Sequence, residues 1–254
     1  MELEVLGCYG GEVRGRYTPS LLIDGSVVLD AGSFGARLSL QRQLRIEHVL
    51  LSHSHCDHVK DLPCFADLII GKRRRPVAIH ATRQTLQVLR RNLFNNRLWP
   101  DFFLLPSPEQ PVLREAPFAS GRWFRLGHLR VKAVPVVHPV ESMAFVVRDT
   151  AGSFVYSGDT GPNDELWRVV NRLRDLRLLL VEVKFPNSLQ MVADAAGHLT
   201  PRTLARELAK LNGVDVPILL YHLKPECVAE IGRQVKALAD SRLRLLRQGE
   251  RIRI

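Results

Sequence analysis

Cysteine is scarce in this chain of 254 residues. Its four copies, Cys8, Cys56, Cys64 and Cys227, are widely scattered and form no C-x-x-C pair. Free thiols in a reduced, cytoplasmic compartment fit that spacing better than a disulfide framework. Long apolar runs are missing as well: the longest, such as "LLLVEV" and "VPILLY", are too short to span a bilayer, so no membrane partner is expected. The opening "MELEVLGCYGG" has no positive region leading into an apolar stretch, because Glu2 and Glu4 interrupt it, and no signal peptide is read there. No period of about 20–50 residues repeats itself, which excludes solenoids and propellers. No low-complexity linker divides the chain either, and residues 1–254 read as one domain.

What is present is an ordinary globular composition, 46% hydrophobic and 24% charged, with an excess of basic residues, 36 − 26 = +10. Such a balance favours anionic partners, nucleotide or RNA among them, or else reflects a solvated Arg-rich surface. The run "GKRRRP" at 71–76 carries both readings: a grip on phosphates, or a charged loop between two strands.

The first half is strand-rich. "LEVLG", "SLLID", "SVVLD" and "HVLLS" are short β-type runs, and the "DG" at 24–25 marks a hairpin. "TRQTLQVLRRNLF" places Leu86, Leu89 and Leu93 at helical spacing, after which "LRVKAVPVVH", "MAFVVRD" and "SFVYSGD" resume the strand pattern. Later the chain alternates. "NDELWRVVNRL" predicts a helix capped by Asn163, "LRLLLVEV" a buried strand, and "TPRTLARELAKL" a helix capped by Thr200 with Pro201 at its first position. "VPILLYH" is again a buried strand, and "KPECVAEIGRQVKAL" a helix with Ile231, Val235 and Leu238 aligned. This order predicts an α/β fold, a four-layered αββα sandwich of two sheets with helices outside and the functional loops along one edge.

Histidine sharpens the reading. Three of nine fall in "LSHSHCDHVKDL", directly after an apolar strand, as His53, His55 and His58 with Asp57 between them. Imidazoles and a carboxylate suit zinc or a similar divalent metal, and manganese or iron accept the same set. His53 and His55, two apart in extended chain, point the same way and can clasp one ion; Asp57 and His58, past a turn into helix, can address a second. "VVHP", "YSGDTG" and "LLYHLKP" add His138, Asp159 and His222, each at a strand end. A lone histidine there is more often structural, but three in order at strand ends outweigh that reading. The expected first ion has His53, His55 and His138, the second Asp57, His58 and His222, and Asp159 bridges them. His48, His80 and His128 lack such context and read as structural.

The ordered set H-x-H-x-D-H, later His, "GDTG" Asp and final His resembles the metallo-β-lactamase-fold hydrolase superfamily over nearly the whole chain. The resemblance implies that Asp30, in "VVLDAGS", supports the metal ligands from behind. "LGCYGG", "FNNRLWPDF", "SGDTGPN", "VEVKFPN", "GHLTP" and "YHLKP" further resemble the class II 3′,5′-cyclic-nucleotide phosphodiesterases. That likeness implies a dinuclear-metal enzyme that opens cAMP or cGMP to the 5′-monophosphate, with a homodimer as one assembly. Water between two cations loses a proton near neutral pH and attacks phosphorus, and an acid must protonate the leaving oxygen. His198, in "GHLTP", is the expected acid, with a hydrogen-bonded helix-entry residue as its bland alternative; Asp57 orients the nucleophile or takes its proton. Trp99 and Phe102 are expected to stack on a purine and Asn95, Asn96 and Asn187 to read its edge, although aromatics in a helical stretch more often belong to the core. The run "HCDHVKDL" departs from the phosphodiesterase pattern at Cys56 and Asp61; neither supplies a ligand, but Lys60 and Asp61 can reshape the pocket mouth. The alternatives are a tRNase Z-like RNA 3′-processing endonuclease, whose His-Ser/Thr element "AGHLTP" resembles but whose flexible Gly/Pro-rich insertion has no match between His58 and His138, another metallo-β-lactamase-fold phosphodiesterase, and a non-catalytic nucleotide- or RNA-binding module.

Overall fold

The computed structural model describes all residues, Met1–Ile254. The first sheet is built from β1 (Glu2–Gly7), β2 (Ser20–Ile23), β3 (Val27–Leu29), β4 (His48–Leu50), β5 (Val77–Ala81) and β6 (Leu113–Pro117). The second holds β7 (Trp123–Leu126), β8 (Leu129–Val136), β9 (Ser142–Arg148), β10 (Ser153–Tyr156), β11 (Leu176–Glu182), β12 (Ile218–Tyr221) and β13 (Leu243–Leu245). A last strand, β14 (Arg251–Arg253), returns to the free edge of β1, so each sheet has seven strands. In both sheets antiparallel hairpins at one side give way to parallel strands at the other: β3 to β6 in the first, β10 to β13 in the second.

The layers follow from the two-residue period of strands. Leu178 and Leu180 of β11 enter a cluster shared with Leu3, Leu21, Ile23 and Leu29 of the first sheet. Leu179 and Val181, facing the other way, pack with Leu166, Trp167, Leu204, Leu208, Ile231 and Val235 of the helices. The outer face of the first sheet is covered in the same manner by Leu62, Phe65, Ile69, Leu86 and Leu89. Three apolar seams therefore separate four layers, the αββα sandwich predicted from the pattern. A continuous run such as "LRLLLVEV" is apolar throughout because both its faces are covered.

The helices are α1 (Leu40–Gln43), α2 (Cys56–Val59), α3 (Leu62–Ile69), α4 (Arg83–Asn92), α5 (Glu165–Val170), α6 (Gln190–Ala196), α7 (Pro201–Leu208) and α8 (Val228–Lys236). Several sequence expectations carry through. Asp24 and Gly25 take φ of 47° and 70°, left-handed conformations in the three-residue turn that joins β2 to β3. Thr200 caps α7 by accepting from the Thr203 amide. Asn163 accepts from the Leu166 amide, although regular helix starts only at Glu165 and ends sooner than the pattern suggested.

Others need correcting. "GKRRRP" joins helix α3 to strand β5 rather than two strands. Helix α3, inserted right after the histidine loop, is a short apolar segment whose period the dense loop chemistry obscured. Strands β5 and β6 were not foreseen either, β6 because its exposed charges break the apolar pattern. No helix is long and apolar enough to cross a membrane.

Candidate metal centre

The carboxyl ends of parallel strands and their hairpin neighbours converge on one edge of the sandwich, where the side chains with chemistry collect. Asp30 follows β3, the histidine loop follows β4, His138 follows β8, Asp159 follows β10, Glu182 ends β11 and His222 follows β12.

Asp30 is fully buried and takes a left-handed φ of 57°, a strained conformation for a residue other than glycine. Its Oδ1 accepts from the Ser52 amide at 2.8 Å. Its Oδ2 accepts from the Ser52 hydroxyl, the Tyr156 hydroxyl and His58 Nδ1, each at 2.8 Å. An acceptor at Nδ1 sets the tautomer, so His58 presents the bare Nε2 lone pair to the interior. The same logic orients His53, whose Nδ1 lies 2.9 Å from Ser52 Oγ, and His138, whose Nδ1 donates to the Gly197 carbonyl at 3.0 Å.

The inward atoms meet. His138 Nε2 and His55 Nδ1 face each other at 3.1 Å, with the ring of His53 about equally close to both. Asp159 Oδ2 lies 3.3 Å from His58 Nε2, 3.3 Å from His222 Nε2 and 3.7 Å from His53 Nε2. Asp57 Oδ2 lies 3.3 Å from His222 Nε2 and 3.9 Å from His58 Nε2. Ligands about 2.0–2.1 Å from a tetrahedral ion stand roughly 3.3–3.4 Å apart, so these separations are those of a coordination cage. Four overlapping groups gather their donor atoms within 4.8 Å: His53, His55 and His138; Asp57, His58, Asp159 and His222; His138, Asp159 and His198; and Glu182, His198 and His222.

Polar satisfaction makes the same point. Both oxygens of Asp159, 1% exposed, lack a hydrogen-bond partner, as do the buried Nε2 atoms of His53 and His58 and Nδ1 of His222. Leaving several such atoms unpaired in one place is costly unless a cation joins them. Proton affinities respond accordingly. Burial drives His53 well below the usual imidazole range. At His58 burial acts in the same direction but is outweighed by the Asp159 and Asp30 carboxylates, which raise it well above. Burial also opposes charge on Asp159, yet His222 and His58 hold it well below the ordinary carboxylate range. A cluster that grips a proton so firmly has the donor set to take a divalent cation in its stead. The residues fit the ions.

His198 stands beside this cluster, its ring centroid 5.0 Å from that of His138 and 5.3 Å from that of His222. Its Nδ1 meets Glu182 Oε1 at 2.7 Å and its Nε2 meets Lys184 Nζ at 3.2 Å. Burial pushes His198 down to about 4, and burial raises Glu182. The close pair shares one proton. A lysine ammonium offers only donors, so Nε2 is the acceptor there and the shared proton lies between Nδ1 and Glu182. Sequence reasoning passed over Glu182, Lys184, Ser52 and Tyr156. The one signal for Glu182 was a lone carboxylate in an otherwise apolar strand.

The expected substrate contacts are engaged in the fold. Phe102 is a correction: 2% exposed, it packs in the core edge-on to Phe94 and presents no face to a base. Trp99 packs on the same cluster and donates to the Pro63 carbonyl. Asn95 closes the turn after α4 by accepting from the Arg97 and Leu98 amides, and Asn96 accepts from the Asp101 amide. Asn187 caps α7 through the Arg202 amide. The stretch "FNNRLWPDF" thus builds a turn. Lys60 pairs with Glu12 at 2.8 Å and Asp61 accepts from the Gly35 amide at 2.7 Å. Of the structural histidines, His48 and His80 join β4 to β5 through a 3.1 Å contact, and His128 pairs with Asp24.

An edge of clustered imidazoles and carboxylates on an αββα sandwich defines a class, the metal-dependent hydrolases of the metallo-β-lactamase fold, and a fold of this kind implies divalent metal ions. Comparison with known proteins agrees: the beta-lactamase superfamily domain matches residues 21–222, and the chain belongs to that superfamily. It is 30% identical to the "Probable 3',5'-cyclic-nucleotide phosphodiesterase" of Yersinia pestis, over 95% of this chain and 83% of that one. Among solved structures, unliganded yeast PDE1 superposes with a TM-score of 0.83 at 18% identity, covering 98% of each chain. The metallo-beta-lactamase fold protein YhfI from Bacillus subtilis gives 0.80 at 18% identity, covering 99% of each.

Proposed function

We propose that the chain works as one hydrolase domain that cleaves phosphodiesters, 3′,5′-cyclic nucleotides to 5′-monophosphates, with two divalent cations held at the edge of the sandwich. The observation that carries the reading is Asp159: both oxygens are buried and unpartnered, with three imidazole nitrogens 3.3–3.7 Å from one of them. His53, His55 and His138 would hold one ion, Asp57, His58 and His222 the other, and Asp159 would bridge them. Zinc suits this donor set, with manganese and iron as the other metals it accepts. When bound, the cations supply a lowered pKa for water and neutralise charge on the phosphoryl oxygens. The name of the Yersinia pestis relative supports the phosphodiesterase class.

The chain's own groups divide the remaining work. Asp57, 26% exposed where its partners are buried, sits on the open side of the cluster and is placed to accept a proton from the attacking water. His198 stands beside His138 and His222, held in orientation by Glu182; its bare Nε2 is placed to take up the proton that the attacking water releases and to pass it to the leaving oxygen. Four unpaired cysteines agree with work in a reducing, cytoplasmic setting. The test is direct. Protein loaded separately with zinc, manganese and iron is given cAMP, cGMP, bis(p-nitrophenyl) phosphate and a pre-tRNA, with and without chelator. Metal-dependent release of 5′-monophosphate is expected; its absence under every metal sinks the cyclic-nucleotide reading, and preferential trimming of the pre-tRNA trailer replaces it with the RNA-processing one.

A further inference from the structure

Lys184 lies two residues beyond Glu182, just past the end of β11, and is half-buried. Its backbone is pinned on both sides: the amide donates to the Leu199 carbonyl at 3.2 Å, and its carbonyl accepts from the Lys224 amide at 2.9 Å. Its stem passes Gly10, where a Cβ would stand 3.2 Å from Lys184 Cγ and Cε and 2.4 Å from the His222 carbonyl oxygen. Glycine at that position leaves the lysine a channel toward the metal-ligand edge. The ammonium ends 3.2 Å from His198 Nε2, and His198 in turn lies against His138 and His222.

Lys60, Lys210 and Lys224 each meet a carboxylate at 2.7–2.8 Å, whereas Lys184 makes no ion pair and engages an imidazole. A half-buried ammonium with no carboxylate, oriented by a neutral ring and with donors left over, is a ready partner for an anion. Lys184 is the cation that meets His198, beside the cluster that holds the Asp57 and Asp159 carboxylates.

We propose that Lys184 is the fixed cation that holds an anionic phosphoryl oxygen of the substrate between the metal cluster and His198. One N–H stays on His198 Nε2 while the substrate is absent, and the contact passes to the phosphoryl oxygen when it arrives, freeing Nε2 to face the leaving group. Lysine serves here as a compact point charge, the usual mode by which it binds phosphate. The proposal rests on the phosphodiesterase reading for the identity of the anion, so its probe is inorganic phosphate, which does not depend on the nucleotide.

Phosphate binding to the metal-loaded protein is measured by calorimetry and as competitive inhibition of bis(p-nitrophenyl) phosphate hydrolysis, with metal content determined for every sample. Lys184→Met keeps the stem and removes the charge; it is expected to weaken phosphate at least about tenfold with metal content unchanged. Lys184→Arg is expected to recover most of the affinity, and if Lys184→Met fails to fold, Lys184→Gln against Lys184→Arg makes the same comparison. Unchanged phosphate affinity in the neutral variant overturns the proposal, and so does a loss that tracks a loss of metal. If the phosphate pattern holds while the wild-type protein leaves cAMP and cGMP intact, the anion site stands and the cyclic-nucleotide reading falls.

Discussion

A carboxylate with both oxygens buried and no hydrogen-bond donor is stable only where positive charge meets it, and Asp159 is in that position. Asp159→Ala is therefore expected to lower bound metal below that of the wild type and to reduce metal-dependent turnover at least about 100-fold, as read by metal analysis and phosphodiester hydrolysis. Glu182 acts through its neighbour, since its 2.7 Å contact fixes the ring of His198. Glu182→Gln should keep the metal content and lose about 10–100-fold in kcat, while the same loss with metal gone would show that Glu182 serves the cluster instead. A residue remote from the cluster gives the pH test. Burial, with His48 adding to it, pushes His80 from 6.5 down to about 4. The unfolded chain thus takes the proton first as pH falls, so the contribution of His80 is complete above about 6.5 and is lost towards 4, at most about 3 kcal/mol. His80→Phe, which keeps a ring beside Phe124, should flatten the dependence of the urea midpoint on pH across that window.

At the scale of the element, short connections aim the ligands. Gly158 precedes Asp159 with a φ of 62°, and a Cβ there would stand 2.5 Å from the Met143 carbonyl oxygen. Gly158→Ala is expected to shift the β10 turn, costing about 1–3 kcal/mol in stability and lowering metal affinity; unchanged metal content would show that the turn tolerates the strain without moving Asp159. The Thr200–Thr203 capping box starts α7 two residues after His198. Caps, turns and metal-loop residues were legible in the sequence because each depends on neighbours within a few positions. Strands β5 and β6 were not, since their place is set by pairing with β4 and with each other rather than by their own patterns. The same limit misplaced Phe102 and the asparagines around it. Their types suit a base, but the turn after α4 uses their polar edges and the core covers the ring.

Over the whole molecule, metal and fold are linked. Seven side chains from four strand ends, drawn from both sheets, converge with several buried donor atoms unpartnered, so balancing their charges ties the two sheets together at this edge. Chelation should lower Tm; a cation at about 100 times its dissociation constant contributes roughly 2.7 kcal/mol, and thermal denaturation with and without chelator reads it. A Tm indifferent to chelator and to added zinc would mean that the cage closes without the ions.

From the sequence alone came the layered α/β class, the strands that are apolar because both faces are covered, and seven imidazoles and carboxylates that the fold gathers at strand ends. Those are matters of period and of residue type, which neighbours along the chain express. Tertiary structure alone decided which nitrogen of each histidine faces inward, that Glu182 and Lys184 flank His198, and that "FNNRLWPDF" spends its polar groups on its own turn. The reason is physical: a tautomer, a shared proton and an unpaired charge are set by atoms brought together across two sheets, and distance along the chain carries no record of them.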